Sequence, residues 1–368
     1  MEFFTSLVKQ TAVRMLLSLL AICTTWLIVP TTAKAQGVVC NSFSMPNVNF
    51  GSFTPFDAPA STSGQASFQC YNTTISVLGL GSPIYAAVCI NFGAGSADGT
   101  AAARNMSTTG STTPLQYQIY RSDGAVWGSY NLSGSSPPQV VLELQPVWLI
   151  NGVLGSYNYQ SATLPFTASI GSGQSTTIPG AYRSDFSGTQ TSIVVRTSSS
   201  NTVTCTGQSS SSANVSLSQT TLPFSVTATV QKACQIQIGS ASSMDFGNIN
   251  PLTAGPFDTS SSLNARCTSS TPYNIALEPS GTPTPTDGKG TLRNAGTASN
   301  NPDTYVSYGL YRDAGRSLPW GNVSNSNTLG GTGTGSYAAS PITIYGRINN
   351  GNVRPGSYTD NVLVNVLY

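Results

Sequence analysis

The chain has 368 residues, of which only 8% are charged, and its formal net charge at pH 7 is +2. A chain with so few charged residues is not expected to bind nucleic acid or acidic substrates. The sequence has no histidine, which is the commonest general base and the commonest metal ligand, so we expect neither an enzyme nor a cofactor or metal.

The first 35 residues have the pattern of a secretory signal. Lys9 and Arg14 precede an apolar core, Met15 to Val29, and Ala33-Lys34-Ala35 fits a small-x-small cleavage site. The core is about 15 residues long, shorter than the roughly 20 that a membrane-spanning helix needs. We therefore expect an exported chain that begins at Gln36, with a retained membrane anchor as the alternative.

The exported part contains an internal repeat. A Phe-Gly motif followed by Pro-Phe-Asp, a Tyr-x-Ile/Leu-Tyr-Arg strand followed by a Trp-Gly pair, and a Pro-Gly-x-Tyr segment each occur twice and in the same order. The matching segments are 49–53 with 245–249, 117–121 with 308–312, and 179–182 with 355–358. The chain therefore has two copies of one unit.

Six cysteines lie in the exported part, and an even number in such a chain indicates disulfides. Fifteen connectivities are possible. The pairs Cys40–Cys70 and Cys234–Cys267 span 30 and 33 positions, and each flanks one copy of the Phe-Gly motif. The repeat therefore predicts these two bridges and leaves Cys89–Cys205 as a third, within the first domain.

A Ser/Thr-rich stretch at 208–221 lacks apolar periodicity and predicts the boundary between two domains, 36–218 and 219–368. On this division the strand Phe224–Val230, whose apolar residues alternate with polar ones, enters the second domain. Short strands separated by turn residues, without helical periodicity, predict an all-β protein built of antiparallel sandwiches.

Together, the Cys and Phe-Gly motif, the Tyr-x-Ile/Leu-Tyr-Arg strand and the Pro-Gly-x-Tyr segment resemble the spore coat protein U domain. This family includes the pilins of archaic chaperone–usher fibres, and two such domains behind one signal look like the tip adhesin of a Csu-type pilus. The resemblance implies two immunoglobulin-like antiparallel β-sandwich domains. The N-terminal one would be the adhesin, or receptor-binding, domain, and the C-terminal one an incomplete pilin fold that lacks its last strand.

The resemblance also implies partners: a periplasmic pilus chaperone, an outer-membrane usher and an adjacent pilin subunit that donates the missing strand. The segment Asn361–Tyr368 is predicted as a last strand with none after it, whereas the first domain continues through Leu217 and should complete its own sandwich. Only Gln36 to Val39 precede Cys40, too few residues for a donor strand. We therefore expect a subunit that accepts a strand but offers none, exported through the periplasm to the pilus tip at the cell surface.

An apolar insertion at 146–155 in the first domain has no counterpart in the second. Its Asn151-Gly152 step is a strong hairpin signal, and the residues around it are apolar on both faces, so we interpret it as an exposed finger; a hairpin folded onto the core is the alternative. Two other stretches, 75–84 and 125–128, could contact a surface together with it. For these, a core strand at 77–80 and a packing role for Trp127 are equally open alternatives. The predicted contact residues are Val77, Leu78, Leu80, Val126, Trp127, Val147, Trp148, Leu149, Ile150, Val153 and Leu154.

These features predict attachment to hydrophobic surfaces, on host tissue or on abiotic material, and biofilm formation. A lectin-like tip is the first alternative, with Trp127, Trp148 and Tyr157 stacking on sugar rings. The second is a coat or matrix protein that polymerises without a role at a tip.

Overall fold

The computed structural model describes most of the exported chain. The described residues are 33–35, 37–57, 59–78, 80–129, 136–205, 215–218, 222–238, 243–281, 284–294, 304–338, 340–351 and 353–368. The core of the predicted signal and most of the Ser/Thr-rich stretch lie outside them. The first strand, at 33–35, belongs to the segment that we expect to be removed on export.

The described part of the first half forms sixteen strands in four sheets and one turn of 3-10 helix, Gly188–Gln190. The strands are β1 (Ala33–Ala35), β2 (Val38–Ser44), β3 (Val48–Phe53), β4 (Ser61–Asn72), β5 (Ile75–Val77), β6 (Ile84–Phe92), β7 (Arg104–Met106), β8 (Leu115–Arg121), β9 (Gln139–Leu144), β10 (Val147–Ile150), β11 (Val153–Leu154), β12 (Gln160–Ser169), β13 (Gly180–Phe186), β14 (Thr191–Ser198), β15 (Val215–Ser218) and β16 (Phe224–Val230). The sheet orders are β1-β2-β4-β12-β8-β7, β15-β14-β6-β9, β13-β16-β3 and β11-β10-β5.

The described part of the second half forms nine strands in two sheets. The strands are β17 (Cys234–Ile238), β18 (Phe257–Cys267), β19 (Pro272–Pro279), β20 (Lys289–Asn294), β21 (Tyr305–Tyr311), β22 (Leu329–Thr332), β23 (Ile342–Ile348), β24 (Tyr358–Thr359) and β25 (Val362–Leu367). The sheet orders are β17-β18-β23-β21-β20-β24 and β22-β19-β25. The predicted all-β class is confirmed, and no helix among the described residues is long and apolar enough to cross a membrane.

Equivalent side chains occupy equivalent places in the two halves. The Trp127 and Trp320 rings are fully buried, and their indole N–H groups donate to the carbonyl oxygens of Ile90 (2.9 Å) and Ile275 (2.8 Å). The hydroxyl of Tyr182 donates to the carbonyl oxygen four residues earlier, and that of Tyr358 does the same. The sequence repeat is therefore a repeat of packing.

The three predicted disulfides are confirmed: Cys40–Cys70, Cys89–Cys205 and Cys234–Cys267. The two repeat bridges join residues that face each other across antiparallel strand pairs, with Cα–Cα distances of 4.0 and 4.1 Å. Cys89–Cys205 instead ties β6 to the chain beyond β14 and packs with Ala87 outside the main core.

The strand β16 corrects the expected domain boundary. We expected this strand to enter the second domain, but it pairs antiparallel with β13 and parallel with β3, both in the first. Phe224, Val226, Ala228 and Val230 all lie in the first core. The physical reason is that alternation shows only that one face of the strand is buried, and the pairing with β13 and β3 buries that face in the first core.

The connection between the halves, residues 231–233, is held at both ends. The Gln231 N–H donates to the Phe53 carbonyl oxygen (2.9 Å) in the first half. In the second half, the carbonyl oxygen of Ala233 accepts from the Thr268 N–H (2.9 Å). Beside this connection the Arg266 guanidinium lies 4.4 Å from the centre of the Phe56 ring, a cation–π contact across the two halves.

Candidate functional sites: an exposed apolar sheet and an open groove

The small sheet β11-β10-β5 unites two segments that are far apart in sequence. The strand β10 pairs antiparallel with β11 across the turn Asn151-Gly152 and parallel with β5. Both turn residues have positive φ, 52° and 79°, as the tight hairpin turns favoured by Asn-Gly require. We call residues 75–78, 80 and 147–154 the apolar blade.

The root of the blade is fixed by a buried asparagine. The side-chain amide of Asn72 donates to the Leu144 carbonyl oxygen (3.0 Å), and its oxygen accepts from the Thr74 N–H (2.9 Å). The Thr74 carbonyl oxygen in turn accepts from the Val147 N–H (2.9 Å), which sets the parallel register of β5 and β10. The blade is therefore anchored in the body of the domain.

Both faces of the blade expose apolar side chains. Because successive residues of a strand point to opposite faces, the register places Val77 and Leu154 beside Leu149 on one face, and Ile150 beside Val153 on the other. Val77 is 62% exposed, Leu154 54%, Val153 60% and Ile150 41%. Leu80, in the turn after β5, is 84% exposed. At the root of the blade Val147 and Ser76 are buried, so the exposed part of both faces is the part toward the turn.

Aromatic residues collect at the root of the blade. The ring of Tyr71 lies 4.6 Å from that of Tyr157 and 4.8 Å from that of Tyr159, centre to centre. Partial burial, together with the neighbouring Tyr159 and Tyr157, raises the pKa of Tyr71. We call these three residues the tyrosine cluster. The segments 71–84 and 144–160, which contain the blade and the cluster, have no charged residue.

The structure sorts the predicted contact residues into three groups. Val77, Leu78, Leu80, Trp148, Ile150, Val153 and Leu154 are exposed. Val126 and Leu149 are half-buried. Trp127 and Val147 are buried, so their prediction as contact residues is wrong. The Trp127 ring stacks on Phe92 at 4.8 Å in the core, and Val147 begins β10 at the anchored root.

The loop at Val126 lies away from the blade. The Phe92 N–H donates to the Gly128 carbonyl oxygen at one end of β6, whereas the blade joins the other end of that strand near Ile84. Strand geometry separates residues 84 and 92 by about 26 Å. The expected grouping of the stretch at 126–127 with the other two is therefore also wrong.

Sequence reasoning missed part of the site. Ile75, 57% exposed, begins the same apolar stretch as Val77 and could have been included from that stretch alone. The tyrosine cluster forms because β12 pairs with β4 so that Gln160 faces Cys70, which brings residue 159 beside residue 71. No local pattern signals that pairing.

The second half has a groove of about 580 Å³. It lies between residues 243–246 and 357–364, and its apolar lining includes Met244, Phe246, Leu263, Leu277, Leu292, Leu310, Ile344, Val362 and Val364. The Tyr308 hydroxyl at its wall donates to the Asp360 carboxylate (2.6 Å), and burial together with that carboxylate raises the pKa of Tyr308.

The polar chemistry of the described residues is structural. They include no group of His, Cys, Asp or Glu side chains placed to hold a metal ion. Arg104 is fully buried, and burial lowers its pKa to about 10. Its guanidinium donates to the carbonyl oxygens of Gly93 (2.9 Å) and Trp127 (2.6 Å) and thereby holds the loop that carries the tryptophan.

The family model of the Spore Coat Protein U domain matches two stretches of the chain, residues 26–189 and 220–365. The chain belongs to the spore coat protein U domain family. The family predicted from the repeat motifs is thereby confirmed. The second matched stretch begins before β16, so the strand that completes the first core belongs by sequence to the second spore coat protein U unit.

Several solved structures are similar to this family member. One is a chain of the CsuC–CsuE chaperone–tip adhesion subunit pre-assembly complex from Acinetobacter baumannii, at 14% identity and TM-score 0.42, covering 89% of this chain and 100% of that chain. The CupB6 tip adhesin from Pseudomonas aeruginosa matches at 11% identity and TM-score 0.31, covering 92% and 94%. The adhesive subunit CfaE of enterotoxigenic Escherichia coli matches at 13% identity and TM-score 0.29, covering 88% and 93%. No curated protein matches in sequence.

The groove lies between two segments that the sequence repeat aligns with the partners of β16 in the first half. The repeat aligns β13 with the segment that contains β24, and residues 49–53 with 245–249. In the first unit β16 lies between these two partners. In the second unit no described strand lies between them, and residues 243–250 do not form a strand.

Proposed function

We propose that this protein is a pilus-tip adhesin of the chaperone–usher type, which attaches cells to hydrophobic surfaces and supports biofilm formation through the apolar blade. The observation that carries this proposal is the anchored, uncharged sheet with apolar residues exposed on both faces. Monomeric proteins rarely expose contiguous apolar patches of this kind without a binding purpose.

The energetics of the blade suit repeated weak contacts. Burying one exposed Val, Leu or Ile side chain contributes about 1.5–3 kcal/mol, from which the loss of translational and rotational freedom is subtracted. Apolar contact has little stereochemical selectivity, so one blade can hold many materials, host or abiotic. Many tips on one cell then hold firmly through multivalency.

The groove supports the second part of the proposal, that the C-terminal domain is an incomplete immunoglobulin-like sandwich. An adjacent pilin subunit would donate the absent strand, and a periplasmic chaperone would cover the groove before an outer-membrane usher exports the subunit to the cell surface. An open strand edge above an apolar groove is an aggregation hazard unless another chain pairs with it, and strand addition satisfies both the edge and the groove.

The strand β16 indicates what the donor should be. Phe224, Val226, Ala228 and Val230 point into the first core, while Thr227 and Thr229 point outward. A donor for the second domain should have the same alternation of apolar and polar residues, because it enters an equivalent space.

The adhesive role is tested by polar substitutions at the most exposed positions of the blade. Leu80→Ser combined with Leu154→Ser should remove most attachment to polystyrene, whereas secretion and fibre assembly stay normal. Leu252→Ser is the matched control, because Leu252 is 93% exposed but lies in the second domain. Attachment that is unchanged in the blade variant, or lost equally in the control, would contradict the proposal.

The tyrosine cluster is the observation that favours a lectin-like tip as a second candidate. Trp127 is buried and cannot stack on a sugar, but Trp148 and Tyr157 are 45% and 46% exposed. Competition of attachment by free saccharides distinguishes the two functions. Labelling this chain on intact fibres tests the coat or matrix alternative, which requires label along the whole fibre and not at its tip.

A further inference from the structure

The two apolar faces of the blade point to the material that it fits. Contact with a rigid flat surface buries one face of a sheet and leaves the other in water. Val77 and Leu154 on one face and Ile150 and Val153 on the other are exposed to similar extents. Both faces can be buried at the same time only if the sheet enters a medium that surrounds it.

The blade is also layered from tip to root. Aliphatic side chains flank its turn, whereas the aromatic rings lie toward its root: Trp148 packs over the backbone of Gly155, and the tyrosine cluster lies where the blade joins the domain. In a bilayer, aliphatic side chains favour the acyl region, while Trp and Tyr concentrate at the level of the headgroups. From Val147 to Ile150, β10 rises about 10 Å, which matches the depth that interfacial segments reach.

Charge and backbone pairing limit how the blade can meet lipid. No charged residue occurs in 71–84 or 144–160, so no charge has to leave water on insertion. The edges of β5 and β11 keep unpaired backbone groups, which the hydrocarbon centre of a bilayer does not accommodate. The blade can therefore enter the interfacial layer but cannot span the membrane.

We propose that the apolar blade inserts into the interfacial layer of an uncharged lipid bilayer, with the tyrosine cluster at the level of the headgroups. This inference rests on the proposed adhesive role and names the class of surface that the blade recognises. Binding is driven by apolar burial, so it requires neither anionic lipid nor low salt.

Trp148 provides the reporter, because Trp127 and Trp320 are fully buried in the two cores. The exported chain is mixed with phosphatidylcholine vesicles, and tryptophan emission and quenching by brominated lipids are measured. We expect a blue shift and stronger quenching by bromines near the headgroups than by deep ones. In a Trp148→Phe background, Val153→Trp should shift the quenching toward the deeper bromines, because residue 153 pairs with Ile150, about 7 Å nearer the tip than residue 148.

Variants then tie binding to the blade. Val153→Ser combined with Leu154→Ser should lower partitioning into neutral vesicles at least about tenfold, from the apolar area removed. The control Leu252→Ser should partition normally. Raising the salt concentration or adding anionic lipid should change partitioning by less than about twofold, since the segments that insert have no charge.

The possible outcomes separate this inference from the proposed function. Attachment to polystyrene without any shift or partitioning in vesicles overturns the lipid inference and leaves the adhesive role intact. Partitioning that persists in the serine variant places the lipid contact elsewhere, for example at the groove, and also overturns it. Partitioning that requires anionic lipid, or equal quenching of both reporters at both depths, likewise overturns the lipid inference. If the unmodified chain neither attaches to polystyrene nor partitions into vesicles, the proposed function itself is overturned.

Discussion

In the first domain β16 fills the space between β13 and β3, whereas in the second domain the space between the corresponding segments is an open groove. The two domains share the same buried tryptophan, the same tyrosine bond to the preceding turn and the same disulfide across paired strands. They differ in whether a described strand lies between those segments.

Closure of the first core therefore depends on residues that follow the first copy of the repeat. The match to the family places β16 in the second unit by sequence, yet it serves the core of the first. On our proposal, the neighbouring subunit does for the second domain what β16 does for the first. Four measurements test whether the two domains are closed in equivalent ways.

The largest effect should follow from a charge in the core beneath β16. Val226 is fully buried, so Val226→Asp should destabilise the first domain by more than about 5 kcal/mol, since an unpaired carboxylate has no partner there. Thr229→Asp, on the exposed side of the same strand, is the matched control and should cost less than about 1 kcal/mol. Chemical denaturation followed by circular dichroism measures both, and equal destabilisation would mean that β16 does not close the core.

The disulfides should come next. Cys89–Cys205 closes a loop of 116 positions and Cys234–Cys267 one of 33, for which the chain-entropy estimates are about 5 and 4 kcal/mol. Replacing both cysteines of a pair with serine should lower the unfolding free energy of the domain that contains it by up to these amounts. The assay is denaturation of each double variant. A loss of stability in the other domain would show that the halves do not unfold separately.

A smaller effect is expected at alkaline pH. Burial raises the pKa of Tyr117 to about 12 from its ordinary 10.0, so the fold favours the protonated phenol. This contribution is complete below pH 10 and is lost as the pH rises toward 12, about 2.7 kcal/mol in all. Denaturation at several pH values should show this loss in the first domain, and Tyr117→Phe should remove that part of the dependence. The lowered pKa of Arg104 acts in the opposite direction over the same range, so the test is the difference between the unmodified chain and Tyr117→Phe. Identical pH dependence in these two chains would contradict the burial of the phenol.

The smallest effect should come from a peptide with the sequence of residues 222–231. If the groove is equivalent to the space that β16 fills, this peptide should stabilise the second domain by about 1.4 kcal/mol at ten times its dissociation constant. The readout is a concentration-dependent rise in the melting temperature of that domain. A scrambled peptide of the same composition is the control, because it keeps the hydrophobicity but loses the alternation. Identical shifts with both peptides would argue against a strand-shaped site.

Much of the fold follows from sequence because it rests on local patterns and on the repeat. Alternation predicts strands, the paired motifs predict equivalent domains, and the spacing of the cysteines predicts all three bridges, which the structure confirms. The Asn151-Gly152 turn is readable in the same way. What fails is the assignment of β16, because the alternating pattern shows that one face is buried and does not show in which core.

The site is less predictable for the same reason. The exposure of the blade depends on the parallel pairing of β5 with β10, which joins residues about 70 positions apart and has no local signal. Trp127 shows the converse error: its position in an apolar loop suggested contact, but its counterpart Trp320 indicated packing, and packing is what the structure has. Where a residue recurs in both repeats, the repeat is the better guide.

The short connection at 231–233 has a mechanical consequence. Because Gln231 is bonded to the first half and Ala233 to the second, tension applied to the second half enters the first through the C-terminal end of β16, and a pull that follows the strand acts along its axis. That direction shears β16 past β13 and β3, so the hydrogen bonds on both sides of the strand bear the load simultaneously and do not open one at a time. A force that would break the hydrogen bonds of an edge strand one after another is thus distributed along the whole length of β16.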